Sequence, residues 1–126
     1  MNFREFETSS GAKIILGKNA EQNDELMKKF KGKKNTILHT VAPGSPFCVI
    51  KEPLISSAED IATSGAFCAK YSQDWRDHKK NVKISIFTGK DVYKDKDMET
   101  GTWGVKKAKT KTIKKEIIEK VDIKTQ

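Results

Sequence analysis

Thr36-Ile37-Leu38-His39-Thr40-Val41-Ala42-Pro43-Gly44-Ser45-Pro46-Phe47-Cys48-Val49-Ile50-Lys51 is the stretch that decides the fold. Two short, β-branched apolar runs, Thr36 to Val41 and Phe47 to Lys51, flank a Pro-Gly-Ser-Pro turn. Proline presets φ and glycine admits φ > 0, so the four residues reverse the chain. The runs are too short and too branched for helices and read as strands. A period of two puts Ile37, His39 and Val41 on one face and Leu38 and Thr40 on the other. An imidazole and Lys51 thus flank a turn rich in backbone N–H groups.

Outward from that pair, Phe3 to Glu7 alternates apolar and charged residues and reads as a half-exposed strand. Ser9-Ser10-Gly11 turns the chain into a second strand, Lys13 to Gly17, making a hairpin. Asn19 stands at an N-cap position with Gln22 three places on, the spacing of a capping box. Leu26, Met27 and Phe30 give the following helix, Ala20 to Phe30, one apolar face. Gly32 stops it, and a basic link leads to Thr36.

Beyond Pro53, Ser57 and Asp60 start a second helix that runs to about Trp75. Its buried side (Ala58, Ile61, Ala62, Gly65, Ala66, Cys68, Ala69) is small enough for close packing on a sheet. Val82 to Phe87 alternates like a strand with one buried face, Thr88 to Asp91 turns, and Val92-Tyr93-Lys94 begins another strand. Thr102 to Ile113 reads as a last long strand on which Lys107, Lys109 and Lys111 share a face, roughly 6–7 Å apart. That repeat is close to the phosphate spacing of one nucleic-acid strand. In the tail, 113 to 126, Ile113, Ile117 and Val121 fit a helix while Ile117, Val121 and Ile123 fit a strand; the charge density favours the helix. These elements add up to a single α+β domain: a mixed, largely antiparallel sheet with two main helices packed on it.

The 126 residues are one domain's worth of chain, with 36% hydrophobic and 33% charged residues. No apolar run reaches the roughly 20 residues of a membrane-spanning helix. The opening Met1-Asn2-Phe3-Arg4-Glu5 is no secretory signal, so a cytoplasmic protein is expected. Cys48 and Cys68 lack Cys-x-x-Cys spacing and sit among apolar residues, which reads as buried free thiols; neither a metal nor a cofactor is expected. The net charge is +8. From Lys79 onward 14 lysines face 7 acids, against 11 basic and 10 acidic residues before it. Such a bias fits a polyanion partner or a lysine-rich solubilising surface.

Four groups of residues occur in an order seen elsewhere. Gly17-Lys18-Asn19-Ala20-Glu21-Gln22-Asn23-Asp24-Glu25-Leu26 resembles the GRN-xx-QND-xL signature of the NFACT-R domain. Leu38-His39, Pro43-Gly44-Ser45 and Val49-Ile50-Lys51 resemble its LH…PGS…VIK centre. Ala58 to Ser72 resembles its second helix, and Val92-Tyr93-Lys94, Gly101 and Lys111-Thr112 its closing motif. The resemblance spans about residues 4 to 113 and implies RNA binding. In multidomain relatives this domain belongs to ribosome-quality-control factors that engage tRNA on stalled large subunits. This chain carries neither their NFACT-N domain nor their coiled coil, so it resembles a stand-alone version, a form connected with RNA modification. Lys18 stands where arginine is usual, which removes a bidentate phosphate contact. Phe47 stands where many relatives approach the strand with a more polar residue.

The candidate RNA contacts are therefore Lys18, Asn19, Gln22, Asn23, His39, Pro43, Gly44, Ser45, Lys51, Lys90, Lys94, Lys107, Lys109, Lys111 and Thr112. Lys18, Asn19, Gln22 and Asn23 crowd a helix N-terminus, where dipole and free N–H groups favour anions; Asn19 and Gln22 also serve as caps. Pro43-Gly44-Ser45 presents backbone N–H groups to a phosphate or is an ordinary turn. His39 stacks on a base, donates to a phosphate, or simply bonds loop backbone. Trp75 and Trp103 are core packing or base-stacking platforms. The reading is a non-catalytic module for structured RNA, tRNA or rRNA, in translation, ribosome quality control or RNA modification, with ribosomal or RNA-modification proteins as further partners. One rival is an RNA-modifying enzyme, or a subunit of one, that uses the His39/Ser45 region; it requires a titratable partner in a pocket. The other is a protein-interaction adaptor, which requires an exposed apolar patch.

Overall fold

The computed structural model describes residues 2–121. Strands β1 (Arg4–Glu7), β2 (Lys13–Leu16), β3 (Thr36–Thr40), β4 (Cys48–Glu52), β5 (Val82–Thr88) and β8 (Lys109–Ile113) form one sheet in the order β1-β2-β4-β3-β5-β8. Every pairing in it is antiparallel, as the expected largely antiparallel sheet implies, and no parallel pair occurs among the described residues. A separate ribbon pairs β6 (Val92–Tyr93) with β7 (Gly104–Val105). The helices are α1 (Ala20–Phe30), α2 (Ala58–Lys70), α3 (Gln73–His78) and α4 (Lys115–Glu119).

The sheet is buried on both faces, and strand alternation sorts its side chains between them. Ile14, Leu16, Leu38, Cys48, Ile50 and Ile84 face α2, with Ala66, Cys68, Ala69 and Trp75 packed against them. Ile15, Ile37, Val49 and Phe87 face the other way onto Leu26, Met27 and Phe30 of α1. The two main helices thus lie on opposite faces. β5 uses both, with Ile84 on the α2 side and Phe87 on the α1 side, where one buried face was expected. Gly65 lets α2 lie close: a Cβ there would stand 2.9 Å from the Ile113 side chain. The thiols of Cys48 and Cys68 are fully buried and free. Burial raises both, and Cys68 is pushed up to about 12.

Three boundaries depart from the sequence reading. The second helix does not run to Trp75. Ser72 interrupts it, its hydroxyl accepting from Trp75 N–H as the N-cap of α3 while donating to Ala69 C=O. The long strand from Thr102 is two short ones in different sheets. Lys106 N–H donates to Asp91 C=O at 2.7 Å, which turns the chain between β7 and β8. Lys107 therefore lies in the link and not on the strand of Lys109 and Lys111. The tail forms α4, with Ile118 fully buried; the alternative strand through Ile123 lies outside the described residues.

Candidate nucleic-acid interface

At the N-terminus of α1 Asn19 caps as expected, but the box is not closed on the cap residue, because Gln22 reaches back to Lys18. Asn19 Oδ1 accepts from Gln22 N–H at 2.9 Å, and Gln22 Oε1 accepts from Lys18 N–H at 2.9 Å. Gln22 also donates to Asn2 C=O. Its amide is thus spent on the cap and the N-terminal segment. Asn23 does not reach outward as expected. It is buried, and its Oδ1 accepts from Phe47 N–H at 3.1 Å, tying α1 to the start of β4. Gly17 must be glycine for this, since a Cβ there would stand 2.2 Å from that same oxygen.

The Pro43–Pro46 turn lies beside this helix start. Gly44 has φ +88° and its carbonyl accepts from Gln73 N–H at 2.7 Å, docking the turn on α3. A side chain there is both strained and blocked, 2.8 Å from Gln73 Cβ. Ser45 Oγ accepts from Thr40 N–H at 3.2 Å and donates to Pro46 C=O at 2.7 Å. His39 stacks at a tilt on Phe47, ring centroids 4.6 Å apart. Its Nδ1 lies 2.7 Å from Thr40 C=O, so this nitrogen carries the proton and donates. Burial lowers the His39 pKa against the opposing bonds to Thr40 and Ser45 backbone. Burial thus favours the neutral imidazole, whose Nδ1–H is taken by the Thr40 carbonyl, the loop-backbone alternative among the three that the sequence left open.

A third wall comes from the 95–103 loop. Asp24 of α1 reaches across to it. Its Oδ1 accepts from Gly101 N–H at 2.8 Å and Trp103 Nε1–H at 2.9 Å, and pairs with Lys94 at 3.4 Å. Burial opposes this charge, but the Gly101, Trp103 and Lys94 contacts outweigh it and hold the carboxyl below the usual range. Lys94 Nζ also donates to the Thr102 carbonyl at 2.7 Å. Lys94 is therefore a latch inside the protein, not a cation presented to a phosphate.

These walls enclose a cleft of about 670 Å³. Lys18, Asn19, Asn23, His39, Pro43, Gly44 and Ser45 all line it, joined by Trp103 and by Arg4, Tyr71, Arg76 and Ser85, which the sequence reading did not single out. Three of its lining residues are cationic (Arg4, Lys18, Arg76) and none is a carboxylate or a thiol. Arg4 stacks on the Tyr71 ring at 4.3 Å, and Arg76 is braced by Tyr71 C=O and Gln73 Oε1. Only a weak signal marked the arginines: they are the two in a chain whose other 23 basic residues are lysines.

The remaining candidates fall elsewhere. Cross-strand partners share a face, and the register sets His39, Ser85 and Thr110 in one row. Lys109 pairs with Ile86, and Lys111 with Ile84, so both lysines project from the α2 side of the sheet, away from His39. Thr112, opposite Lys83, shares the His39 face. Lys51 and Lys90 lie at the other end of α1, beyond the cleft. The single lysine-lined track expected from the sequence does not form. Trp75 and Trp103 are buried, Trp103 forming part of the cleft wall.

A six-stranded antiparallel sheet with helices on both faces, and a cleft at one end lined by Arg4, Lys18 and Arg76, defines an α+β domain. The chain belongs to the family described as the NFACT protein RNA binding domain, whose model matches residues 2–107. Its fold is similar to that of the C-terminal part of the fibronectin/fibrinogen-binding protein from Streptococcus suis, with a TM-score of 0.84 and 23% identity. That likeness covers 98% of this chain and 50% of that one. No curated protein matches the chain.

Proposed function

We propose that this domain binds structured RNA such as tRNA or rRNA, in the cytoplasm, with the sugar-phosphate chain seated in the Arg4/Lys18/Arg76 cleft. One observation carries the reading: three cations and no carboxylate line the concavity, so every formal charge there favours a phosphate. The α1 N-terminus adds its dipole to the same wall. Family membership supports RNA as the anion. Translation, ribosome quality control and RNA modification are the settings in which such a module serves, beside ribosomal or modifying proteins.

The contacts of His39 and Ser45 favour binding over catalysis. His39 Nδ1 faces a carbonyl, and Ser45 Oγ is held between Thr40 N–H and Pro46 C=O. The Ser45 hydroxyl makes no hydrogen bond to the His39 ring, and among the described residues no acid lines the cleft to complete a proton relay. An adaptor role would draw on Leu54 and Ile55, which are exposed on the β4–α2 loop away from the cleft. No helix among the described residues is long and apolar enough to cross a membrane.

Filter binding of unfractionated tRNA across a salt series tests the proposal. Log affinity should fall linearly with log salt, by about 0.7–0.9 per phosphate neutralised. Retention that matches a neutral polymer and ignores salt would end it.

A further inference from the structure

The end of α1 opposite the cleft carries a charge cluster that the cleft does not use. Lys28, Lys29, Lys31, Lys33 and Lys34 fall within seven residues, and all five are exposed. Averaged over the nearly neutral first 78 residues, they left no mark on the charge balance. The tertiary fold concentrates them further. Gly32 N–H donates to Gly89 C=O at 2.7 Å, joining the α1–β3 link to the turn after β5. Gly89 allows this approach, because a Cβ there would stand 1.9 Å from Phe30 C=O. Exposed Lys90 is thereby set beside Lys31 and Lys33. On the other flank, Lys51 shares a depression of about 510 Å³ with Lys28 and Lys29.

The nearby carboxylates do little to cancel this charge. Glu25 meets Lys28 at 3.9 Å across an exposed pair. Asp91 turns inward, its Oδ2 accepting from Thr88 N–H and Thr88 Oγ–H. Glu5 of β1 and Glu25 of α1 line the depression together with its three lysines. Lys31, Lys33, Lys34 and Lys90 form no ion pair among the described residues. The Lys33 ammonium lies over the Phe30 ring, 5.5 Å from its centroid.

We infer that the Lys31/Lys33/Lys34/Lys90 corner is a second phosphate-binding surface, so that one RNA bridges the corner and the cleft along α1. The inference rests on the cleft reading of the previous section and adds a separate contact point to it. The 11 residues of α1 separate the two by about 16 Å. At the ~6–7 Å phosphate spacing of an extended strand, about three nucleotides are the shortest that span them.

The test compares the wild-type chain, K31Q/K33Q/K34Q, R4Q, and a control K80Q/K115Q/K120Q that removes the same charge from exposed lysines elsewhere. The probes are unfractionated tRNA and single-stranded RNA oligomers of about 2 and about 12 nucleotides, below and above that span. On tRNA, the corner variant should flatten the salt slope by about 2, from three lost phosphates at ~0.7 each, while the control leaves it unchanged. Its affinity deficit should appear on the long oligomer and vanish on the short one, which R4Q weakens. Equal flattening by corner variant and control, or a deficit that persists on the short oligomer, overturns the second surface and leaves the cleft standing. A wild-type chain without salt-dependent RNA binding overturns both. All substituted lysines are exposed, and matching thermal melts confirm that each variant is folded.

Discussion

Replacing Asp24 with alanine should open the 95–103 wall of the cleft. One oxygen of this carboxylate holds Gly101 N–H at 2.8 Å, Trp103 Nε1–H at 2.9 Å and Lys94 at 3.4 Å. Hydrogen bonds to a charged group contribute about 1.5–3 kcal/mol each. Truncating one partner of a fully buried ion pair costs about 3–5 kcal/mol. The side chains of Lys94 and Asp24 are 22% and 16% exposed, so water relieves part of the loss. Lys94 also keeps its bond to Thr102 C=O. A net cost of about 2–4 kcal/mol follows, read as a fall in the urea midpoint at pH 7 with an unchanged slope. The sign with pH is fixed by the direction of the shift. The folded-state pKa of Asp24 is lowered, so its contribution is full above the usual carboxylate range and is lost as pH falls through the folded value. The gap between wild type and D24A should therefore close in acid. Hydrogen exchange at Gly101 N–H should accelerate, since its acceptor is gone. A variant within about 0.5 kcal/mol of wild type, or a gap that stays constant into acid, would refute the latch.

Lys18→Arg restores a planar fork at the cleft mouth and should tighten tRNA binding severalfold, about 0.5–1 kcal/mol by filter binding, while Arg4→Gln weakens it. Lys109→Gln, on the other side of the sheet, should cost less affinity than Arg4→Gln; the reverse order would move the interface away from the cleft. His39 has a lowered pKa, so the unfolded chain binds its proton first and stability falls as pH drops through the ordinary imidazole range. His39→Gln should remove that part of the acid sensitivity in denaturant titrations run between neutral and mildly acidic pH.

The legible parts of this chain were those governed by local rules. Helix α1 begins at Asn19 and ends before Gly32 because caps and stops act over three or four residues. Ser57 and Asp60 form the expected capping box by the same logic. The break at Ser72 was hidden from the residue pattern, since the preceding small residues give no reason to stop a helix there; only the family resemblance, drawn over Ala58 to Ser72, ended at that residue. The division of 102–113 was hidden too, because the bond from Lys106 to Asp91 joins segments whose pairing no periodicity announces.

For the site, sequence alone determined the helix start at Asn19, the reversal at Gly44 and the family to which the chain belongs. Tertiary structure decided what those pieces face. Register with β5 sends Lys109 and Lys111 to the side away from His39. The Asp24 carboxylate turns Lys94 inward, and the sheet order brings Arg4 from the first strand to the cleft. The reason is physical: caps and turns are set by neighbours along the chain, whereas the direction in which a charge points is set by strands and loops distant in sequence. A lysine therefore reads alike in the sequence whether it is a latch, a solvated side chain or a phosphate contact.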